Sequence, residues 1–123
     1  MKFTLDANSR VNLIRSYGEG ELRVGDDILH TSCIVTADTL IKEWPPQTLD
    51  ELQPEYLQTI FDVQPEVVVL GTGATQRFPS AQITAMFGER RIGLEVMTLG
   101  AACRTFNILV QEDRRVAAVL FLR

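Results

Sequence analysis

The feature that most limits how this chain can fold is a continuous apolar run of four residues, 67–70, between Pro65 and Gly71. Three of these four residues are valine, and β-branched side chains favour extended backbone over helix. A strand that is apolar at every position, rather than at alternate positions, is covered on both faces. The run therefore predicts an inner strand with helices on both sides, and we expect it at the centre of the sheet.

The sequence after this strand alternates between helical and extended patterns. Pro79-Ser80 predicts the start of a short helix that ends at Gly88, and residues 92–97 predict a strand. Thr98 is a favourable N-cap for a last helix, and residues 115–122 predict a buried closing strand. The apolar stripe of the last helix comprises Leu99, Ala102, Cys103, Phe106, Leu109 and Val110. Alternating strands and helices are typical of an α/β sheet.

The first part of the chain contains shorter extended segments separated by turn residues. Residues 12–17 and 21–24 flank Gly18-Glu19-Gly20, which predicts a hairpin. Two more short strands are predicted within 28–36 and 40–44, before Pro45-Pro46. The hairpin is expected to lie at the edge of the α/β sheet or to form a separate layer.

Residues 48–63 have apolar side chains at helical spacing, and Thr48 with Glu51 matches a capping box. Pro54 interrupts this pattern, because proline is tolerated in the first turn of a helix but not in its interior. Two interpretations stay open: a kinked helix that begins at Thr48, or a single turn followed by a helix that opens at Pro54. Gln64-Pro65 is expected to end the helix.

Length and charge limit the classes of function. A chain of 123 residues is long enough for one core, and we expect a single domain over residues 1–123. The net charge is −4, with −7 on residues 1–76 and +3 on residues 77–123. This balance argues against a nucleic-acid binder, which needs clustered cations. The arginines after residue 76 are suited to contacts with a small anion or an acidic protein surface. No secretory signal or membrane span is recognised, so we expect a cytoplasmic protein without membrane insertion.

The cysteine and histidine residues do not form the pattern of a metal site or of a catalytic dyad. Cys33 and Cys103 lie in apolar surroundings without a CxxC pair, so we expect buried free thiols. His30 is the only histidine, and a dyad of His30 with Cys103 is the less favoured interpretation. We expect no metal, no cofactor and no catalytic residue.

Two neighbouring segments are candidates for binding. Gly71-Thr72-Gly73 follows the apolar strand, and Arg77 lies shortly after it. Glycines let backbone N–H groups approach an anion at the carboxyl end of a strand, although no third glycine or Walker lysine follows. The helix start at Thr98 points its free N–H groups toward the same edge. The polar residues close to that helix start are Arg104, Thr105 and Asn107. The favoured interpretation of Gly71-Thr72-Gly73 is a structural tight turn, and the anion site is the second. For the helix start, the structural alternative is that Gly100 and Ala101 pack against the sheet.

The combined motifs resemble a domain family of unknown function that includes mitochondrial respiratory complex I assembly factor 3 and adipogenesis-associated proteins. The motifs that carry the resemblance are Gly71-Thr72-Gly73, the segments 93–98 and 102–109, and Arg114-Arg115-Val116-Ala117-Ala118. The resemblance implies a three-layer α/β fold with a mixed central sheet, no established catalytic activity, and assembly through protein contacts in the mitochondrial relatives. One departure is Asp113 where the family pattern has glycine, and we expect the turn to be kept at a small cost.

The missing catalytic constellation together with the family resemblance implies a non-enzymatic protein-binding domain that assists the assembly of a respiratory membrane complex. The alternative is an enzyme or sensor that binds a small anion or nucleotide between Gly71-Thr72-Gly73 and Thr98, with Arg77 or Arg104 as a clamp.

Overall fold

The computed structural model describes residues 11–123. Three α-helices lie within this range: α1 (Leu57–Asp62), α2 (Ala81–Glu89) and α3 (Leu99–Gln111). The strands are β1 (Ile14–Gly18), β2 (Glu21–Val24), β3 (Asp27–Leu29), β4 (Cys33–Val35), β5 (Leu40–Ile41), β6 (Val67–Thr72), β7 (Gly93–Met97) and β8 (Val116–Phe121).

The strands form two sheets. A small antiparallel sheet has the order β1-β2-β3, and a five-stranded sheet has the order β5-β4-β8-β6-β7. In the larger sheet, β6 runs parallel to β7 and β8, whereas β4 runs antiparallel to β5 and β8. The predicted mixed sheet is confirmed. The predicted hairpin is also present, and β3 extends it to three strands. The predicted extended segment 28–36 is divided between the two sheets.

The central strand of the larger sheet is β8, so the prediction that residues 67–70 form the centre is wrong. All six residues of β6 and all six of β8 are buried. Continuous burial therefore does not show which of two inner strands lies at the centre of the sheet. β8 takes the middle position because β4 pairs with its free edge.

Both faces of the larger sheet are covered, as the apolar run predicts. Val67 and Val69 face α3 and the small sheet, in a cluster with Phe106. Val68 and Leu70 face the opposite cluster, which includes side chains of α1 and α2. Successive strand residues point to opposite faces, so a strand covered on both sides is apolar throughout. The result is the expected arrangement of three layers.

Residues 48–63 follow the second of the two interpretations. A 3-10 turn at Leu49–Glu51 is separate from a second 3-10 turn at Pro54–Tyr56, which leads into α1. The expected capping box is not formed, because the Thr48 side chain makes no cap hydrogen bond. Glu51 instead accepts a hydrogen bond from Gln47 N at 2.7 Å.

The ends of α2 and α3 share one geometry. Gly88 lies inside α2 and does not end it; the left-handed residue is Arg91, with φ of 58°. Asp113 adopts φ of 61° after α3, where the family pattern has glycine. At this end, Arg114 N donates to Leu109 O and Asp113 N donates to Val110 O, both at 3.0 Å. These two bonds form a Schellman motif and stabilise the left-handed residue, so the turn is kept without glycine.

Candidate functional site

The segment predicted as a glycine loop begins later than expected. Gly71 and Thr72 belong to β6, and all of β6 is buried. A Cβ on Gly71 would lie 3.0 Å from Ala102 Cβ and 3.3 Å from Leu99 Cα. Gly71 therefore allows the first turn of α3 to pack directly on β6. Only Gly73, with φ of 77°, lies in a turn.

The polar groups around this turn bond to one another. Thr72 Oγ1 lies 2.7 Å from Thr75 O and accepts a hydrogen bond from Arg77 N at 3.0 Å. Gly73 O accepts from Leu99 N at 2.8 Å. These bonds close the loop after β6 and fasten it to the start of α3.

The N-terminus of α3 is capped within the fold. Thr98 is the N-cap, as predicted, and its Oγ1 accepts from Ala101 N at 3.4 Å. A Cβ on Gly100 would lie 2.7 Å from Tyr17 Oη, so glycine allows the tyrosine ring to approach the helix. The small sheet therefore covers one side of the helix start.

Arg104 and Asn107 fasten the small sheet to α3. Arg104 Nη1 donates to Tyr17 Oη at 2.7 Å. The Asn107 amide bonds to both peptide groups of Ile14: Oδ1 accepts from N, and Nδ2 donates to O, each at 2.9 Å. Thr105 is half-buried on the same helix. Two of the predicted binding residues therefore hold β1 in place, and Arg104 does so at an exposed position.

Arg77 lies in a different layer from Arg104. Its Nη2 donates to Asp50 Oδ1 in the 3-10 turn before α1, whereas Arg104 contacts the small sheet on the opposite face. The neighbouring Phe78 is 71% exposed. The two arginines therefore do not converge on one ligand.

An open groove of about 920 Å³ lies at the edge where β6 and β8 end and α3 begins. We call it the Tyr17 groove. The residues that line it are Tyr17, Gly18, Glu19, Gly20, Gly73, Ala74, Thr98, Leu99, Gly100, Leu122 and Arg123. Tyr17 is 44% exposed at this groove, and Arg104 holds its hydroxyl group. Three of the predicted site residues, Gly73, Thr98 and Arg104, thus line the groove or contact its tyrosine.

Sequence reasoning missed Tyr17. Its contact with Arg104 joins residues 87 apart in the chain, and a tyrosine in a predicted hairpin is ordinary. The available signal was Gly100 at the start of a helix, since a glycine there can mark the close approach of a neighbour.

Both cysteines are buried free thiols, as predicted. Burial, with a smaller contribution from the nearby Cys103, raises the pKa of Cys33 to about 12. Burial also raises the pKa of Cys103 to about 12, although Arg104 acts in the opposite direction. His30 is exposed, whereas Cys103 is only 2% exposed. Neither thiol is an activated nucleophile at neutral pH, because the thiolate is the reactive form.

Within residues 11–123, no group of three or more His, Cys, Asp and Glu side chains is placed to hold a metal ion. None of the helices in this range is long and apolar enough to cross a membrane.

Residues 14–121 match the family described as "Protein of unknown function (DUF498/DUF598)". The chain belongs to this family. The match includes both sheets and all three helices, so it covers the Tyr17 groove except for its last two residues.

Two curated relatives carry different names. NADH dehydrogenase [ubiquinone] 1 alpha subcomplex assembly factor 3 of Danio rerio is 30% identical over 110 residues, which cover 88% of this chain and 63% of that protein. The "13 kDa major membrane protein" of Francisella tularensis is 28% identical over 72 residues, 58% of each chain. The matches thus span about three-fifths of the length of these relatives.

Solved structures share the fold. A Xanthomonas campestris protein solved by NMR has a TM-score of 0.83 and 39% identity, over 90% of this chain and 84% of that one. A Bordetella parapertussis protein in a crystal structure has the same TM-score and 28% identity, over 90% and 95% of the two chains.

Proposed function

We propose that this chain is a non-enzymatic protein-binding domain that assists the assembly of a respiratory membrane complex, with the Tyr17 groove as its contact surface. The observation that carries the proposal is the exposed Tyr17–Arg104 pair beside this groove. The assembly role is supported by the Danio rerio relative, which is named as an assembly factor and matches 88% of this chain.

The composition of the groove supports a protein partner. Tyrosine and arginine are enriched among the residues that supply most of the binding energy in protein interfaces. Tyr17 is held between the Gly100 backbone and the Arg104 guanidinium, so its ring loses little freedom on binding. The guanidinium has five N–H donors and uses one on Tyr17, which leaves others for carboxylate or carbonyl groups of a partner.

The same contacts favour a protein over a small anion. An anion site between the β6 turn and the α3 N-terminus would need free N–H groups and converging arginines. Leu99 N bonds to Gly73 O, Ala101 N bonds to Thr98 Oγ1, and the Arg77 side chain pairs with Asp50 in another layer. The groove instead offers the exposed Tyr17 ring beside polar groups, which is typical of a protein interface.

Affinity capture tests the proposal with a matched pair of arginine variants. The tagged chain is used as wild type, Arg104→Ala and Arg23→Ala, and co-purified proteins are identified by mass spectrometry. Arg23 is an exposed arginine of β2 that does not line the groove. We expect wild type and Arg23→Ala to enrich respiratory-complex subunits equally, and Arg104→Ala to lose at least about tenfold of that enrichment. Equal enrichment by all three forms would place the contact elsewhere.

A further inference from the structure

The outer edge of β7 carries peptide groups that no other described strand uses. β7 is the last strand of the five-stranded sheet, and within residues 11–123 it pairs with β6 alone. Gly93 N donates to Glu66 O at 3.0 Å, so the odd-numbered residues of β7 turn their peptide groups toward β6. The peptide groups of Leu94 and Val96, and the carbonyl of Ile92 before them, therefore face outward.

At each end of this row of outward-facing peptide groups, one group already has a partner within the chain. Ile92 N is already bonded, since it donates to Phe87 O at 3.0 Å. Val96 O is also bonded, since it accepts from Gln76 Nε2 at 2.8 Å. Between these ends lie two acceptors and two donors: Ile92 O, Leu94 N, Leu94 O and Val96 N.

We infer that β7 pairs antiparallel with β7 of a second copy of this chain, about a two-fold axis at Leu94. In this register, Leu94 N and O bond to Leu94 O and N of the second copy, and Val96 N donates to Ile92 O of the second copy. An antiparallel ladder in this register would also join Ile92 N to Val96 O. Those are the two groups that each chain already satisfies internally.

The match of donors and acceptors is what selects a second copy as the occupant. A strand from another protein would bring free N–H and C=O groups opposite Ile92 N and Val96 O, which are already bonded within this chain. In a second copy related by a two-fold axis, the groups at the matching positions are already bonded as well. No outward peptide group of β7 is then left unpaired.

The side chains agree with this register. Ile92, Leu94 and Val96 are half-buried apolar residues on the face of the sheet that α2 covers. Pairing places Leu94 opposite Leu94 and Val96 opposite Ile92, which are favourable apolar cross-strand pairs. On the other face, Glu95 lies opposite Gly93 of the second copy. No like charges are directly opposed.

Amide hydrogen exchange measured by NMR over a dilution series of the wild-type chain tests the inference. We expect the Leu94 and Val96 amides to gain protection as concentration rises, in parallel with dimer mass in sedimentation velocity. The Glu95 amide faces β6 and serves as the internal control, with protection at every concentration. A chain that stays monomeric throughout, or a dimer in which the Leu94 and Val96 amides exchange freely, would overturn the inference.

The variant Leu94→Pro removes an N–H that only the second copy uses. Proline is accepted on an edge strand where the N–H faces outward, so the monomer should keep its fold. Because both copies lose a hydrogen bond, we expect the dimer dissociation constant to rise roughly tenfold or more. Arg23→Ala, an exposed substitution on the small sheet, is the control, with dimerisation retained. A Leu94→Pro chain that dimerises like wild type contradicts the inference, and the exchange measurement on wild type decides if this variant does not fold.

Discussion

At the scale of single residues, the glycines of this chain separate into those that permit contact and those that permit only turns. Sequence reasoning identified Gly71 as important and gave the wrong reason. It predicted a tight turn or, as the second interpretation, an anion-binding loop, whereas Gly71 lies in a buried strand directly beneath α3. The composition of a Gly-Thr-Gly segment is the same in both cases, and only the position of the helix distinguishes them.

Gly71→Ala is expected to destabilise the fold. The added Cβ would lie 3.0 Å from Ala102 Cβ and 3.3 Å from the Leu99 backbone, which cannot move aside like the end of a side chain. Overpacking of this kind typically costs about 1–3 kcal/mol in the free energy of unfolding. Trp44 reports unfolding, because it is the only tryptophan and is 1% exposed, so urea titration followed by its fluorescence measures the change.

Gly88→Ala is the matched control for this prediction. Gly88 lies within α2, and no atom is within 4 Å of its added Cβ. Alanine favours helix over glycine by roughly 1 kcal/mol, so this variant should gain stability. If both variants shift the unfolding midpoint in the same direction, the packing role of Gly71 is refuted.

At the scale of elements, the sequence predicted most helices and strands correctly where local rules decide. Thr98 and Ser80 both act as N-caps, and the apolar stripe predicts the buried face of α3. The local rules failed at the end of α2, where Gly88 was predicted to stop the helix. The left-handed residue after α2 is Arg91 instead of Gly88, and the backbone hydrogen bonds of a Schellman motif stabilise this conformation.

Glu66 joins the starts of β6 and β8, and this connection should depend on pH. Its Oε1 accepts from Arg115 N at 2.9 Å and lies 3.2 Å from Arg114 Nε. The hydrogen bond from Arg115 N is the main cause that lowers the pKa of Glu66 from its usual value of 4.5, and Arg114 adds to it. A carboxyl group with a lowered pKa stabilises the fold above the pKa of the unfolded chain and loses that effect as pH falls through the folded value.

Glu66→Gln measures this contribution, because glutamine keeps an oxygen acceptor and removes the charge. We expect the variant to melt at a lower temperature than wild type at pH 7. The difference should shrink as pH falls from about 4.5 toward the lower pKa of Glu66 in the folded chain, because the carboxyl group is protonated first in the unfolded chain. A difference in melting temperature that stays constant across this range would show that the charge of Glu66 contributes nothing.

At the scale of the whole molecule, the α/β class and the mixed sheet were predictable, and the arrangement of the layers was predictable only in outline. Strand order depends on β4 pairing with β8 across more than 80 residues, which no local pattern records. The Tyr17 groove has the same origin, because β1 and α3 meet through residues far apart in the chain. Gly73 and Thr98, which line the groove, and Arg104, which contacts Tyr17, were singled out from the sequence, whereas their partners within the fold were not.

The central claim is that the Tyr17 groove binds a protein during assembly of a respiratory complex. Site-specific photocrosslinking tests it most directly, with a photoreactive phenylalanine analogue introduced at Tyr17 and, as control, at Arg23 in cells of the natural source. The claim predicts crosslinks from position 17 to subunits or assembly intermediates of a respiratory complex, and few from position 23. Equal labelling from the two positions, or no protein crosslink from position 17, would contradict it.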